Sequence, residues 1–299
     1  METSPLSART VVVVGTGAMA PEIAVATAAA GHPTRILGRD EGRAEDAAAW
    51  AGAFMTSGAV TSGGISPVGF EGADIVIETI VEDADAKRDL LARIEPWCRD
   101  DTVITTNTSS LTIAGLASAL GRPDRFAGLH FLKPAHLTGV VEVIPGAETG
   151  AEVLITLRRL AESIGKTPLT VRRDVPGFIW NRIQFAVLRE CLHMLEEGVA
   201  DAADIDAAVS DGLAPRWVAA GPLATADLGG LGTFRRVCEQ LFPHLASESG
   251  VSDEMTHRET RGEPFAPWTR VDPAAVARLR EHALEAGRRV AAERREIAG

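Results

Sequence analysis

Basic residues are the first shortage: 30 Lys and Arg stand against 41 Asp and Glu, a formal net charge of −11 over 299 residues. Such a chain lacks the cationic face that nucleic acid or an anionic membrane surface requires, so neither is expected as a partner. Phosphate groups, where they bind, must be caught locally. Cysteine is scarce as well. Cys98, Cys191 and Cys238 are odd in number and have no metal-ligand spacing, which points to free thiols in a reducing cytoplasm and to no bound metal. Long apolar runs are missing, and the opening METSPLSART has no apolar signal region, so a soluble, cytoplasmic protein is expected. What remains is ordinary globular composition, 45% hydrophobic and 24% charged, in a chain long enough for two domains.

Near the start, TVVVVGTGAMA places four valines, Val11–Val14, before Gly15-Thr16-Gly17 and an alanine-rich stretch, Met19–Ala30, that stops at Gly31. A β-branched run of this kind suits a parallel strand buried on both faces, and the stretch after the glycines reads as a helix. Strand, glycine turn and helix together make a dinucleotide site: free N–H groups at the helix N-terminus receive a pyrophosphate, and glycines let the backbone approach it. Ala20 takes the third glycine position. Gly15, Gly17, Ala18 and Met19 are the residues expected against the cofactor.

The second strand, Thr34–Gly38, should end in an acid that holds the ribose 2′-hydroxyl of NAD. That acid is absent; Gly38 and Arg39 stand there instead. A small residue leaves room for a 2′-phosphate and a guanidinium binds it, so NADP(H) is the preferred reading. Asp40 keeps NAD(H) open as the alternative.

Between Glu41 and Gly72 the only helix expected is AAAWAGAF. Further strands are expected at Asp74–Ile80, Thr102–Thr106 and Lys166–Val171, with amphipathic helices over Val81–Trp97 and Val153–Ile164. Asn107-Thr108-Ser109-Ser110-Leu111 follows a strand's C-terminal end, where a doubly wound sheet binds its ligands, so Glu78, Glu82, Ser109 and His130 should converge there. Ser109 or Ser110 could equally cap the next helix. From Asp174 onward no strand is convincing, and the domain boundary is placed at Arg173: a Rossmann-type α/β domain over residues 1–173 and an all-α domain over 174–299. There FIWNRIQFAVLRECLHMLEEG reads as a mostly buried helix, suited to a core or a subunit interface. Ala203–Val209 reads as a capped helix start, GLAPRWVAAGPLATADLGGLGTF as loop with short helix, Ser247–Pro267 as a linker and Asp272–Ile297 as a charged amphipathic helix.

Phe126–Gly146, FAGLHFLKPAHLTGVVEVIPG, reads as a strand, a Lys-Pro turn and a returning strand, with His130 and Glu142 twelve positions apart. A buried carboxylate facing one ring nitrogen fixes the tautomer of a histidine and favours its charged form, leaving the other nitrogen to move a proton near neutral pH.

The segments GTGAMA, ETIVEDADAKRDLL, NTSSL, FAGLHFLKPAHLTGVVEVI and DVPGFIWNRI, in this order, resemble the 3-hydroxyacyl-CoA dehydrogenase family, whose relatives include lambda-crystallins and polyketide-pathway ketoreductases. The resemblance implies a Rossmann-type domain followed by a helical dimerisation domain, and reversible hydride transfer between a nicotinamide and a 3-hydroxy/3-keto group. It implies His130 as the acid/base held by Glu142, Ser109 as a hydrogen-bond donor to the reacting oxygen and Asn181 as a substrate-orienting residue. Glu82, Lys87 and Asn107 would lie near the cofactor, and no metal is needed.

Three departures narrow this reading. Lys133 stands where the family usually has Asn, and an ammonium there would lower the pKa of His130 or bind an anionic substrate group. The basic extension that grips the nucleotide of CoA is missing, since Arg43 is the only basic residue between Glu41 and Gly72. The Gly38-Arg39 pair points to NADP(H). The sequence is therefore read as an NADP(H)-dependent ketoreductase or 3-hydroxyacyl dehydrogenase acting on a carrier-bound or free β-keto compound, such as a polyketide intermediate. The alternatives are an NAD-linked short-chain 3-hydroxyacyl-CoA dehydrogenase and a non-catalytic, crystallin-like structural or ligand-sensing protein.

Overall fold

The computed structural model describes residues 8–55, 58–265 and 272–298, which fall into two compact units, Met1–Arg182 and Ile183–Gly299. The first unit runs β1 (Val11–Val14), α1 (Met19–Ala28), β2 (Thr34–Gly38), α2 (Glu41–Ala53), β3 (Val60–Gly64), β4 (Ile75–Glu78), α3 (Ala84–Ile94), β5 (Val103–Thr106), α4 (Ile113–Ala117), β6 (Phe126–Phe131), β7 (Val140–Pro145), α5 (Ala151–Ser163) and β8 (Thr167–Thr170). All eight strands form one sheet in the order β3-β2-β1-β4-β5-β6-β7-β8. Pairing is parallel except between β6 and β7. The order reverses between β1 and β4, so the turn after β1 opens at the switch point where such sheets bind ligands.

The four valines of β1 are fully buried because helices cover both faces of the sheet. Val11 and Val13 join the core beneath α1, α2 and α5, whereas Val12 and Val14 join the core beneath α3 and α4. Turn geometry fixes the strand's exit. Gly15 has φ +135°, and a Cβ added there would lie 2.6 Å from the carbonyl oxygen of Thr79. At Gly17 the corresponding Cβ would meet nothing within 4 Å.

β3 was not expected. Its sequence, VTSGG, has no apolar alternation, and as an edge strand with no fully buried residue it needs none. α2 starts earlier than AAAWAGAF suggests, because the Asp40 carboxylate accepts from Arg43 N and caps a helix beginning at Glu41. Neither Ser109 nor Ser110 caps α4; Thr112 does, accepting from Gly115 N.

α6 (Trp180–Glu196) begins in the last residues of the first unit and runs on into the second, where it is followed by α7 (Ala202–Ala207), a π-helical segment, α8 (Ala214–Ala219), α9 (Pro222–Gly229), α10 (Leu231–Leu241), α11 (Asp253–Arg261) and α12 (Pro273–Ala298). α6 is not mostly buried: Leu192 alone is, while Ile183 is 53% and Phe185 58% exposed, so several of its apolar residues are left uncovered. The Gly/Pro-rich stretch after it is chiefly helical, with Gly221-Pro222 and Gly230 as punctuation. The expected linker holds α11, capped by Ser252 and closed by a left-handed Gly262; its Ala266 and Pro267 lie outside the described residues. No helix among the described residues is long and apolar enough to cross a membrane.

Replacing Gly15 by Ala forces a side chain against the Thr79 carbonyl at a φ that L-residues avoid, and should cost about 2 kcal/mol or more. Gly17→Ala should leave stability within about 0.5 kcal/mol. Urea unfolding of both variants checks this, and a wild-type midpoint for Gly15→Ala would refute it.

Candidate active site

The sheet register builds the centre of the site. In the antiparallel β6–β7 pair His130 stands directly opposite Glu142, which puts both side chains on one face. Glu142 Oε2 lies 2.6 Å from His130 Nδ1. A carboxylate can only accept, so Nδ1 carries the proton and Nε2 is left for chemistry. The second oxygen, Oε1, accepts from Ile179 N at 2.8 Å and Trp180 N at 2.9 Å, at the start of α6. Burial alone would push the Glu142 carboxyl up, but the bonds from His130, Trp180 and Ile179 hold it below the ordinary range.

Two consecutive residues with positive φ deliver those N–H groups: Gly177 at +78° and Phe178 at +49°. Phe178 is buried, and its ring lies 5.7 Å from the His130 ring, centroid to centroid. A phenylalanine in the left-handed region is strained, and here the strain sits against the acid/base candidate. Asp174, on the same approach, accepts from Ala114 N.

Beneath the neighbouring loop lies a second ionic cluster. Lys87, 1% exposed, donates to Glu78 Oε1 at 2.7 Å and lies 3.4 Å from Glu82 Oε2. Glu78 is also fully buried, accepting from Ile80 N and Thr106 Oγ1. Glu82 gathers the loop: its Oε1 accepts from Thr108 Oγ1, Ser109 N, Ser110 N and Ser110 Oγ at 2.6–3.0 Å, and from Ser109 Oγ at 3.4 Å. Burial would raise the Glu82 carboxyl, yet the bonds from Thr108 and Ser109, the charge of Lys87 and the bond from Ser110 bring it down to about 2.

Of the expected residues, His130 and Glu142 meet directly, and Asn181 Nδ2 reaches the Ser109 carbonyl at 3.4 Å. Asn107 Oδ1 accepts from Phe131 N at 2.7 Å and so ties the end of β5 to the strand of His130. Glu78 and Lys87 do not face open space; their charges are spent on each other and on the loop. Lys133 is exposed and leads into a cis peptide bond with Pro134.

At the glycine loop, α1 has Ala18 at its N-cap and no side-chain cap, so its first N–H groups are offered to an anion, and the open space at Gly17 admits one. The residues present therefore fit a dinucleotide. At the end of β2 a Cβ on Gly38 would lie 2.6 Å from Thr16 Cγ2 and 2.9 Å from the Asp40 carbonyl oxygen, which leaves no room for an acidic side chain. Arg39 is exposed, and Asp40 is turned back onto Arg43 N.

Several supporting residues escaped sequence reasoning. Phe178 carried no signal that its backbone is left-handed, although it adjoins a glycine in a motif already singled out. Glu22, in the first turn of α1, and Lys166, after α5, carried no sequence signal of burial, yet in the structure both are buried.

Comparison with known proteins agrees with the geometry. Residues 10–175 match the family model described as 3-hydroxyacyl-CoA dehydrogenase, NAD binding domain, and residues 177–262 match the corresponding C-terminal domain. A 5-formyl-3-hydroxy-2-methylpyridine 4-carboxylate 5-dehydrogenase of Mesorhizobium japonicum is 35% identical over 202 residues, 65% of each chain. An L-carnitine dehydrogenase of Streptomyces griseus is 34% identical over 76% of this chain and 62% of its own length. A 3-hydroxybutyryl-CoA dehydrogenase of Clostridioides difficile is 30% identical over 87% of this chain and 96% of its own. The matches thus span just under two thirds of the length of the first two relatives. Among solved structures, a 5-formyl-3-hydroxy-2-methylpyridine 4-carboxylic acid 5-dehydrogenase, described as an NAD+-dependent dismutase, superposes with TM-score 0.87 over 95% of this chain and 98% of that one, at 28% identity.

The acid response of the fold follows from Glu82. Its folded pKa of about 2 lies below the ordinary 4.5, so the stability it contributes is present above about pH 4.5 and lost as pH falls toward 2. Glu142, also lowered, acts in the same direction. Acid unfolding followed by tryptophan fluorescence should show a shallower loss for Glu82→Gln than for wild type across that window. Parallel curves would contradict the assignment.

Proposed function

The chain belongs to the 3-hydroxyacyl-CoA dehydrogenase family, and from that membership we propose that it is a nicotinamide-dependent oxidoreductase interconverting a 3-keto and a 3-hydroxy group. The observation that carries this reading is the cross-strand pair His130–Glu142, whose carboxylate holds Nδ1 and leaves Nε2 for proton transfer.

When bound, the reduced cofactor supplies the hydride that the keto carbon receives. The proton comes from His130: Nε2 of the imidazolium gives it to the carbonyl oxygen, and Nδ1–H stays on Glu142. Glu142 holds the ring by Nδ1 before and after transfer and so keeps its tautomer. Ser109, presented by the Glu82-bound loop, donates a hydrogen bond to the same oxygen, and Asn181 orients the substrate. In the oxidative direction His130 takes the alcohol proton back. Lys133, exposed on the turn after His130, binds an anionic substrate group.

NADP(H) is the cofactor this reading prefers, supported by the exposed Arg39 and the engagement of Asp40 as a helix cap; the expected room for a 2′-phosphate at Gly38 itself is taken up by Thr16 and the Asp40 carbonyl. The substrate is a carrier-bound or free β-keto compound, such as a polyketide intermediate, rather than a long acyl-CoA. Arg43 is the only basic residue from Glu41 to Gly72, and two of the relatives are named for substrates without CoA. The uncovered apolar residues of α6 support a homodimer formed through the helical unit.

His130→Ala and Glu142→Gln should each lower turnover of a β-keto ester by roughly 10²–10⁴ while leaving cofactor Kd unchanged; normal rates in both would sink the assignment. Arg39→Ala should weaken NADPH at least about tenfold more than NADH, the loss of a charge-assisted phosphate contact. Equal effects on the two would favour the NAD-linked acyl-CoA reading, which the Clostridioides relative represents.

A further inference from the structure

Glu22 is a buried charge that the proposed mechanism does not use. It sits in the first turn of α1, 8% exposed, and its Oε2 accepts from Ala135 N at 2.6 Å. That bond spans 113 positions of sequence. Ala135 belongs to the turn that begins with the cis Lys133-Pro134 bond and joins β6, which carries His130, to β7, which carries Glu142. The other side of the same residue is held too: Lys166 Nζ, likewise buried, donates to the Ala135 carbonyl at 2.6 Å and to the Thr138 carbonyl. Within the turn, Leu137 N, Thr138 N and Thr138 Oγ1 all converge on the Pro134 carbonyl.

Burying a carboxylate costs free energy that a single backbone N–H only partly offsets, so Glu22 is a poor choice for stability alone. What it provides is a fixed distance. It ties the helix whose N-terminus fits the cofactor to the turn that joins the strands of His130 and Glu142. Resting on the reading given under Proposed function, we propose that Glu22 is a positioning residue: it couples the seat of α1 to the Lys133–Thr138 turn, so that binding of the dinucleotide sets the placement of the acid/base pair and of Lys133.

The test uses the full chain and two readouts. Glu22→Ala should lower kcat for NADPH-dependent reduction of a β-keto ester at least about tenfold with the Kd for NADPH changed less than threefold, whereas Glu22→Gln, whose amide oxygen can still accept from Ala135 N, should keep most of the rate. Independently of turnover, amide exchange over residues 134–138 should slow when NADPH is added to wild type and to Glu22→Gln, but not to Glu22→Ala. If Glu22→Ala does not fold, Glu22→Asp, one methylene shorter, replaces it. A variant that lowers only the melting temperature, with wild-type kcat and a wild-type exchange response, overturns the proposal. Should wild type itself turn over no β-keto substrate, the functional reading fails, and the exchange response alone decides the role of Glu22: its loss in Glu22→Ala supports coupling, its persistence refutes it.

Discussion

A fully buried carboxylate, Glu142, is the constraint on which the rest of the site depends. An ionised carboxyl has no place inside a protein unless several donors surround it, and here there are three: one imidazole and two backbone amides. Each donor imposes a structural demand. The imidazole requires that β6 and β7 pair in the one register that sets His130 opposite Glu142, since a slip of one residue would turn them to opposite faces. The amides require that the chain after β8 return to β7 and expose N–H groups, which it does through the positive φ of Gly177 and Phe178. The same carboxylate therefore orients the acid/base candidate and anchors the start of α6.

The Glu78–Lys87–Glu82 cluster follows a related logic one loop away. A buried ion pair seldom adds net stability over an apolar pair of the same size, because desolvation consumes most of the attraction. Its value lies in direction. Glu78 fixes Lys87, and Glu82, with Lys87 beside it, draws the N–H groups of Ser109 and Ser110 and the hydroxyls of Thr108 and Ser110 onto one oxygen. A loop held by so many bonds to one atom has few alternative conformations, and Ser109 is presented from a rigid platform.

Much of this was legible in the sequence, and what was not has identifiable causes. Buried strands announce themselves through β-branched runs, as at Val11–Val14, and the His130–Glu142 pair was visible because a turn of known chemistry separates two strand-like segments. β3 was invisible because an edge strand need not bury a face. The burial of α6 was overestimated because an apolar stripe looks the same whether the chain's own core or something else covers it. Ser110 reads as a helix cap by composition, but Glu82 competes for its N–H and hydroxyl, and Thr112 takes the cap. Glu22 and Lys166 were unreadable for a further reason: their partners are backbone groups distant in sequence, and main-chain atoms leave no trace in residue identity.

Three acids of the first unit share one trait, and it bears on how a chain of net charge −11 can admit an anionic dinucleotide. Glu22 is turned onto Ala135 N, Asp40 onto Arg43 N, and Glu82 onto the amides of Ser109 and Ser110. Each of these three carboxylates is thus hydrogen-bonded to at least one main-chain N–H group. Engaged, they brace the helix, the strand end and the Thr108–Ser110 loop, while the uncapped N-terminus of α1 and the exposed Arg39 and Arg43 supply local positive potential. The acidic balance of the whole chain is then compatible with a phosphate-binding mouth, because the sign that matters there is set by where a few carboxylates point.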